Sequence, residues 1–243
     1  MDNQTANHEE KLKLSVIVAA FNEQDTIENC VRQIFEVYPS QCELLVVDGG
    51  TDGTEGVVQG LMGEFPQLRY VRNHDDRGKG HAIRTGIAES RTDVMAQIDA
   101  DLQFLPSDLP QLVAPIEQNQ ADVTLGTRFA SGSVRRPGST PMFRRWGNKF
   151  ASFYASLLYW HRMTDVQAGM KAWTRQAADL IDFQSDNYSY EVEIPIKALR
   201  NKLRVVDVPI TTDARQGGET CVNVVFDGVA LLRDITCFRL GLK

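Results

Sequence analysis

Four times between Leu14 and Arg128 a short apolar run breaks off at a turn and gives way to a helical pattern. "LSVIVAA", "CELLVVD", "DVMAQID" and "ADVTLGTR" are too short and too evenly apolar for surface helices, and read as buried strands. "LRYVRN" adds a shorter one. Between them, "NEQDTIENCVRQIFEVY" places Ile27, Val31, Ile34 and Phe35 on one helical face, and "GTDGTEGVVQGLMGEF", "GKGHAIRTGIAES" and "PSDLPQLVAPIEQN" read as helices too. Pro110 and Pro115 count against the last. Strands alternating with helices over about 115 residues predict an α/β fold with a mostly parallel sheet flanked by helices.

The second half is less regular. "ASGSVRRPGS" reads as a loop, "TPMFRRWGNKFASFYASLLYW" as a long aromatic helix, "AGMKAWTRQAADLI" and "SYEVEIPIKALRNK" as helices, and "LRVVDVPIT" as a late strand. Without repeats or a linker, the expected organisation is a polar frayed tail over 1–12 and one domain over 13–243. That domain would divide into a nucleotide-binding half (13–128) and an acceptor-binding half (129–243).

In such sheets, ligands sit at the carboxyl ends of the strands. That rule puts the segments after Ala20, Val47 and Ile98 on one rim. The third begins "DADLQFLP", where Asp99 and Asp101 stand one residue apart. Two carboxylates this close repel unless a cation neutralises them. Mg²⁺ or Mn²⁺ suits one or two carboxylates plus phosphate oxygens, and Gln103 adds a neutral oxygen. A helix cap at Asp101 beside a solvated Asp99 explains the same spacing. The neighbouring rim segments "AAFNE" and "VVDGGTDGT", and "RGKG" before a helix start, favour a polyanion site.

The formal net charge of −6 argues against nucleic-acid binding through a basic surface. Cys30, Cys42, Cys221 and Cys237 form no C-x-x-C pair, and the start "MDNQTANHEEKLK" is no secretory leader, so reduced thiols and a cytoplasmic location are expected. The histidines lack zinc spacing, and His81 and His161 read as surface or packing residues. No apolar window reaches the roughly 18 residues a spanning helix needs. The tail "VNVVFDGVALLRDITCFRLGLK" sets Val222, Val225, Val229 and Leu232 at helical spacing. It would pack on its own domain, or dock peripherally on a membrane face or a membrane protein.

"AAFNE", "VVDGGTDGT", "RGKGHAIRTGI", "DADLQFLPSDL", "GTR" and "TDVQAGMKAW" occur in the order seen in family 2 inverting glycosyltransferases. The chain most resembles the branch of dolichyl-phosphate mannosyltransferases and polyprenyl-phosphate hexosyltransferases, from about residue 14 to 220. The resemblance implies a GT-A-type fold and a nucleotide-diphosphate sugar donor of the GDP-mannose or UDP-glucose type. It implies a polyprenyl or dolichyl phosphate acceptor and Mg²⁺ or Mn²⁺ as cofactor. It assigns Ala19, Phe21, Glu23, Asp48, Lys79, Asp99 and Ala100 to the nucleotide sugar, and Asp99, Asp101 and Gln103 to the metal. Arg144, Asn148 and Arg215 would grip the acceptor phosphate. Asp101, Arg128, Arg144 and Arg215 would carry the chemistry.

The chain departs from the family at Gly49, where a second acid is usual, and at Thr220-Cys221, where Ser-Lys is usual. The C-terminal membrane helices of many relatives are also absent from this sequence. Two other readings stay open. One is transfer to a saccharide or small-molecule hydroxyl with Glu191 or Glu193 as base. The other is a relative that binds a nucleotide sugar, or a partner protein, without turnover. Arg128 also reads as half of a structural ion pair. The aromatic run Trp146, Phe150, Phe153, Tyr154, Tyr159 and Trp160 reads mostly as core, with an apolar groove for a lipid chain as the alternative.

Overall fold

A computed structural model describes residues 12–139, 141–217 and 224–242, with side chains left out of the account at 224–227. The apolar runs become β1 (Leu14–Ala20), β2 (Cys42–Asp48), β3 (Leu68–Arg72), β4 (Val94–Asp99) and β5 (Val123–Thr127). Helices α1 (Ile27–Val37), α2 (Thr54–Leu61), α3 (Lys79–Glu89) and α4 (Leu109–Glu117) follow the first four in the expected alternation. Pro110 does not block α4, because it falls in the first turn, where its missing N–H has no helical acceptor. Pro115 lies close to the end of that helix.

Downstream come a two-residue strand β6 (Val134–Arg135), α5 (Met142–Tyr159), β7 (Lys171–Thr174), α6 (Arg175–Ile181), α7 (Tyr190–Arg200), β8 (Val205–Pro209), β9 (Thr211–Thr212) and α8 (Val224–Leu240). The main sheet runs β3-β2-β1-β4-β7-β5-β8, parallel throughout except for β7, which pairs antiparallel with both β4 and β5. β6 and β9 pair separately.

β7 corrects the sequence reading. "KAWT" was expected within a helix, yet it lies mid-sheet with Lys171, Ala172 and Trp173 buried. Four residues carry too little periodicity to separate strand from helix, and the edges of β4 and β5 need a partner.

Side-chain alternation fills both faces of the sheet. Val16, Val18, Leu44 and Val46 face one layer with Ile27, Val31 and Ile34, while Ile17, Leu45 and Val47 face the other with Ile83, Met95 and Trp173. A third cluster joins Ala151 and Ala155 of α5, Val192 and Ile196 of α7, and Leu231, Ile235 and Phe238 of α8. The C-terminal helix therefore does pack on its own chain, and of the expected stripe Leu232 packs against this cluster. Val229 is 67% exposed. Val222, Thr220, Cys221 and residues 1–11 lie outside the described residues.

The aromatic run was expected to be core, and most of it is not. Trp146, Phe150, Phe153 and Trp160 are all exposed, while Tyr154 and Tyr159 pack against the third cluster. Helical spacing identifies a stripe but not which way the stripe faces.

Where α3 crosses β1, a Cβ on Gly86 would overlap Ile17 Cγ2, whereas one on Gly56 in α2 meets nothing within 4 Å. Gly86→Val should destabilise the fold by about 2 kcal/mol through overpacking. Gly56→Ala should stabilise it by roughly 0.5–1 kcal/mol through helix propensity. Urea midpoints at constant m-value check both.

Candidate active site

Register aligns the chemistry. Ala19 pairs with Asp99 and Ala20 with Asp48, so the ends of β1, β2 and β4 share one edge. Beside that edge opens a cleft of about 630 Å³, lined by Lys79, Asp99, Asp101, Gln103, Arg128, Arg144, Asn148, Glu191 and Arg215 among others. Parallel pairing fixes β4 next to β1, and the turn after β4 then carries Asp101 back into the cleft. Leu102 takes a left-handed φ of 55° in that turn, and the Gln103 backbone N–H donates to Asp101 Oδ1 at 3.0 Å.

Each carboxylate lining the cleft meets a cation. Asp99 Oδ1 lies 2.6 Å from Lys79 Nζ, and Asp101 Oδ2 lies 2.8 Å from Arg215 Nε. Glu191 Oε1 is 3.2 Å from Lys79 Nζ and accepts from the Tyr190 hydroxyl at 2.7 Å, and its Oε2 pairs with Lys171. Burial pushes the Asp99 carboxyl above its usual value despite the opposing pull of Lys79. Burial also works to raise Glu191, but Lys171 and Lys79 outweigh it and hold this carboxyl below the usual range. Lys171 is wholly buried, and that burial lowers its pKa against the attraction of Glu191. Two ammonium groups and two carboxylates thus alternate beneath the cleft, which suits ions removed from water.

Arg128 forms the structural ion pair that the sequence allowed and also borders the cleft. The pair is two-pronged, to buried Asp165 at 2.6 and 2.8 Å. The Asn148 amide, oriented to satisfy its neighbours, accepts from Arg128 Nη2 at 3.0 Å and donates to Gln167 Oε1 at 3.1 Å. Arg144 lies one turn before Asn148 on α5, and among the described residues no carboxylate pairs with it.

The other expected residues lie apart from this cleft lining. Asp48 is buried, accepting from the Gly50 N–H at 2.8 Å and the Tyr70 hydroxyl at 3.1 Å, with Arg72 Nη1 at 3.4 Å. Tyr70, Arg72 and Gly50 border a second, more open hollow. Phe21 is 58% exposed just beyond β1, and Ala100 is buried. Glu23 accepts from Thr26 Oγ1 at 2.7 Å, and burial raises its pKa.

Glu193 is a correction. It does not line the cleft, and its carboxylate accepts the backbone N–H groups of Gln184 and Ser185 at 2.9 Å each and pairs with Lys197. Two residues along a helix face nearly opposite ways, which separates it from Glu191.

Several residues escaped the sequence reading. Lys171 was hidden by the helical reading of β7, although its place in "GMKAW" between apolar residues marks a buried cation. Asp165 stands in the quoted "TDVQAG" and needed only a partner. Gly169 leaves no room for a side chain, since its Cβ would come within 2.5 Å of Asp99 Oδ2. At Gly49 a Cβ would sit 2.5 Å from Asp76 Cγ, so the Asp76 carboxyl occupies the space an acid at position 49 would need.

The paired carboxylates at the strand ends thus share one cleft with the cations Lys79, Arg128, Arg144 and Arg215. The family model for glycosyl transferase family 2 matches residues 15–181, and the chain belongs to that family. It is 28% identical to an undecaprenyl-phosphate mannosyltransferase of Micrococcus luteus over 95% of this chain and 100% of that protein. It is also 28% identical to a polyprenol monophosphomannose synthase of Mycolicibacterium smegmatis, over 84% of this chain and 78% of that one. The fold is the GT-A glycosyltransferase fold. A glucosyl-3-phosphoglycerate synthase of Mycobacterium tuberculosis, solved with Mn²⁺, UDP and glucosyl-3-phosphoglycerate, superposes with a TM-score of 0.70 at 21% identity. The match covers 95% of this chain and 79% of that one.

The depressed Glu191 carboxyl sets a sign for acid behaviour. Its stabilising contribution is complete above the unfolded value of 4.5 and is lost as the pH falls through the lower folded value. Glu191→Gln leaves Lys171 buried without its carboxylate and should lose about 3 kcal/mol near neutrality. Urea midpoints of the variant and the parent should converge as the pH falls below 4.5 and through the lowered folded value.

Proposed function

We propose that the chain moves a hexose from a nucleoside diphosphate sugar to a polyprenyl phosphate, in one in-line displacement that inverts the anomeric carbon. The observation that carries the phosphate acceptor is that every carboxylate lining the cleft is already engaged by a cation. A hydroxyl acceptor needs a base poised near the working pH. Glu191, the remaining candidate, is held low by two lysines. A phosphate monoester, with a second pKa of about 6, is its own nucleophile and needs only cations to hold it.

Arg144 is the cation among the cleft residues best suited to that hold, with Asn148 one turn along α5 and donating its amide N–H to the Arg144 carbonyl at 3.2 Å. Arg215 supplies a second grip when Asp101 is otherwise neutralised. Arg128, fixed by Asp165, offers positive charge that does not move as the bond to the leaving group breaks. The resemblance to an undecaprenyl-phosphate mannosyltransferase and to a polyprenol monophosphomannose synthase supports the same reading of the acceptor.

The donor set fits a hard divalent ion. Among the described residues no group of three or more His, Cys, Asp or Glu side chains is placed to hold a metal. Asp99 and Asp101 supply two carboxylates, and the Gln103 amide gives its Nε2 to the Ser139 carbonyl at 2.6 Å, which leaves its oxygen to accept. Two carboxylates and a neutral oxygen, completed by pyrophosphate oxygens, match Mg²⁺ or Mn²⁺ and exclude a thiolate-seeking ion. When bound, the ion supplies positive charge against the charge growing on the departing diphosphate.

The test is transfer from GDP-mannose and UDP-glucose, with Mn²⁺, to a polyprenyl phosphate and to the matching polyprenol. Product should form with the phosphate alone. Asp101→Ala should reduce transfer by roughly a thousandfold. Arg144→Ala should lower kcat/KM for the acceptor by about tenfold to a hundredfold while slow donor hydrolysis is unchanged. Equal use of the polyprenol would refute the phosphate acceptor.

A further inference from the structure

Lys79 stands where a helix least favours it. It opens α3 directly after Gly78, and the first turn of that helix holds no acid. A cation there opposes the macrodipole, which favours negative charge at an N-terminus. The backbone is fixed as well. Gly78 has a φ of 120°, where a Cβ would come 2.8 Å from the Asp186 carbonyl oxygen, and a Cβ on Gly80 would overlap the Ser185 carbonyl. The His81 N–H donates to the Asp186 carbonyl at 3.2 Å, and Arg84 pairs with the Asp186 carboxylate. The start of α3 is therefore clamped to the segment that leads into α7, and any shift of the ammonium comes from the Lys79 side chain.

That ammonium is shared between two carboxylates of different standing. Asp99, at 2.6 Å, belongs to the cleft, with a side chain 22% exposed. Glu191, at 3.2 Å, belongs to its floor, with a side chain 6% exposed. Glu191 is held from two further sides, by Lys171 at Oε2 and by the Tyr190 hydroxyl at Oε1. Tyr190 in turn accepts from Gln97 Nε2 at 3.0 Å, and its ring centre lies 5.8 Å from Lys79 Nζ. A carboxylate needed only to neutralise Lys171 would be complete without Lys79. Glu191 instead divides its two oxygens between two lysines.

Asp99 cannot serve Lys79 and a divalent ion equally, because an ion on Asp99 and Asp101 puts positive charge beside the ammonium. We propose that Glu191, fixed by Lys171 and Tyr190, is a positioning residue that keeps Lys79 at the cleft when Asp99 turns to the ion, so that the ammonium exchanges Asp99 for the diphosphate of the donor. Lys171 is a positioning residue one step further back, since its charge fixes the far oxygen of Glu191. The exchange leaves every charge beneath the cleft paired, which groups removed from water require. The inference rests on the reading of donor and metal given above and is independent of the acceptor.

Calorimetric binding of GDP and of UDP, each with Mn²⁺, tests it without turnover. Lys171→Met with Glu191→Gln removes both buried charges together and leaves an amide oxygen for the Tyr190 hydroxyl, so the urea midpoint should stay close to the parent's. Lys79→Met should weaken nucleotide binding by about tenfold. The double variant should weaken it by about as much, because Lys79 is then left on Asp99, and adding Lys79→Met to it should cost nothing further. Glu191→Asp, which keeps the charge but withdraws it by a methylene, should weaken binding in the parent and have no effect beside Lys79→Met. A loss of about a hundredfold in the triple variant, the product of two independent effects, would overturn the inference. So would parent-like binding by both the double variant and Glu191→Asp. Either result leaves the donor reading standing, whereas failure of the parent to bind either nucleotide would overturn both.

Discussion

Burying charge beneath a ligand cleft is possible only if the charges neutralise one another in place. The chain Asp99–Lys79–Glu191–Lys171 meets that requirement with side chains from β4, α3, α7 and β7. Lys171 has no exposure at all, and a lone ammonium there would lose several kcal/mol of hydration. Its carboxylate partner sits on α7, a helix reached only after α6, so the network ties the two halves of the sheet together. The antiparallel insertion of β7 between β4 and β5 is what carries Lys171 to the floor of the cleft.

The same balance decides which groups are available for chemistry. Glu191 is spent on two lysines and a tyrosine, and Glu193 on two backbone N–H groups and Lys197. Arg128 is held rigid by Asp165, whereas Arg144 has no ion-pair partner among the described residues. A cleft whose acids are neutralised and whose cations are graded from fixed to unpaired favours ligands that bring negative charge. The stripe on α5 adds a second constraint, because the helix that carries Arg144 and Asn148 inward carries Trp146, Phe150 and Phe153 outward. One helix therefore relates the cleft to whatever surface covers its outer face.

Much of the fold was legible because strand-forming runs such as "LSVIVAA" and "CELLVVD" are buried on both sides and leave no helical alternative. The rim followed from the parallel topology, and with it the neighbourhood of Asp99, Asp101 and Lys79. β7 was not legible, since four residues of mixed character satisfy either period. Helical spacing found the aromatic stripe of α5 but assigned it to the core, because periodicity is the same whichever side faces water. The tail's expected stripe held at Leu232 but not at Val229, for a related reason. Val229 points outward while Leu231, Ile235 and Phe238 pack, a choice made by the surfaces of α5 and α7.

The sequence by itself determined the alternation of elements, the acidic strand ends and the family, since these depend on local apolar periods and on short motifs at fixed offsets. Only the tertiary structure decided that Lys171 joins Glu191, that Glu193 turns away, that Asp76 fills the space beside Gly49, and that α5 wears its aromatics outside. Each of those depends on which distant surfaces meet, and desolvation energy is settled by contact in space rather than by order along the chain.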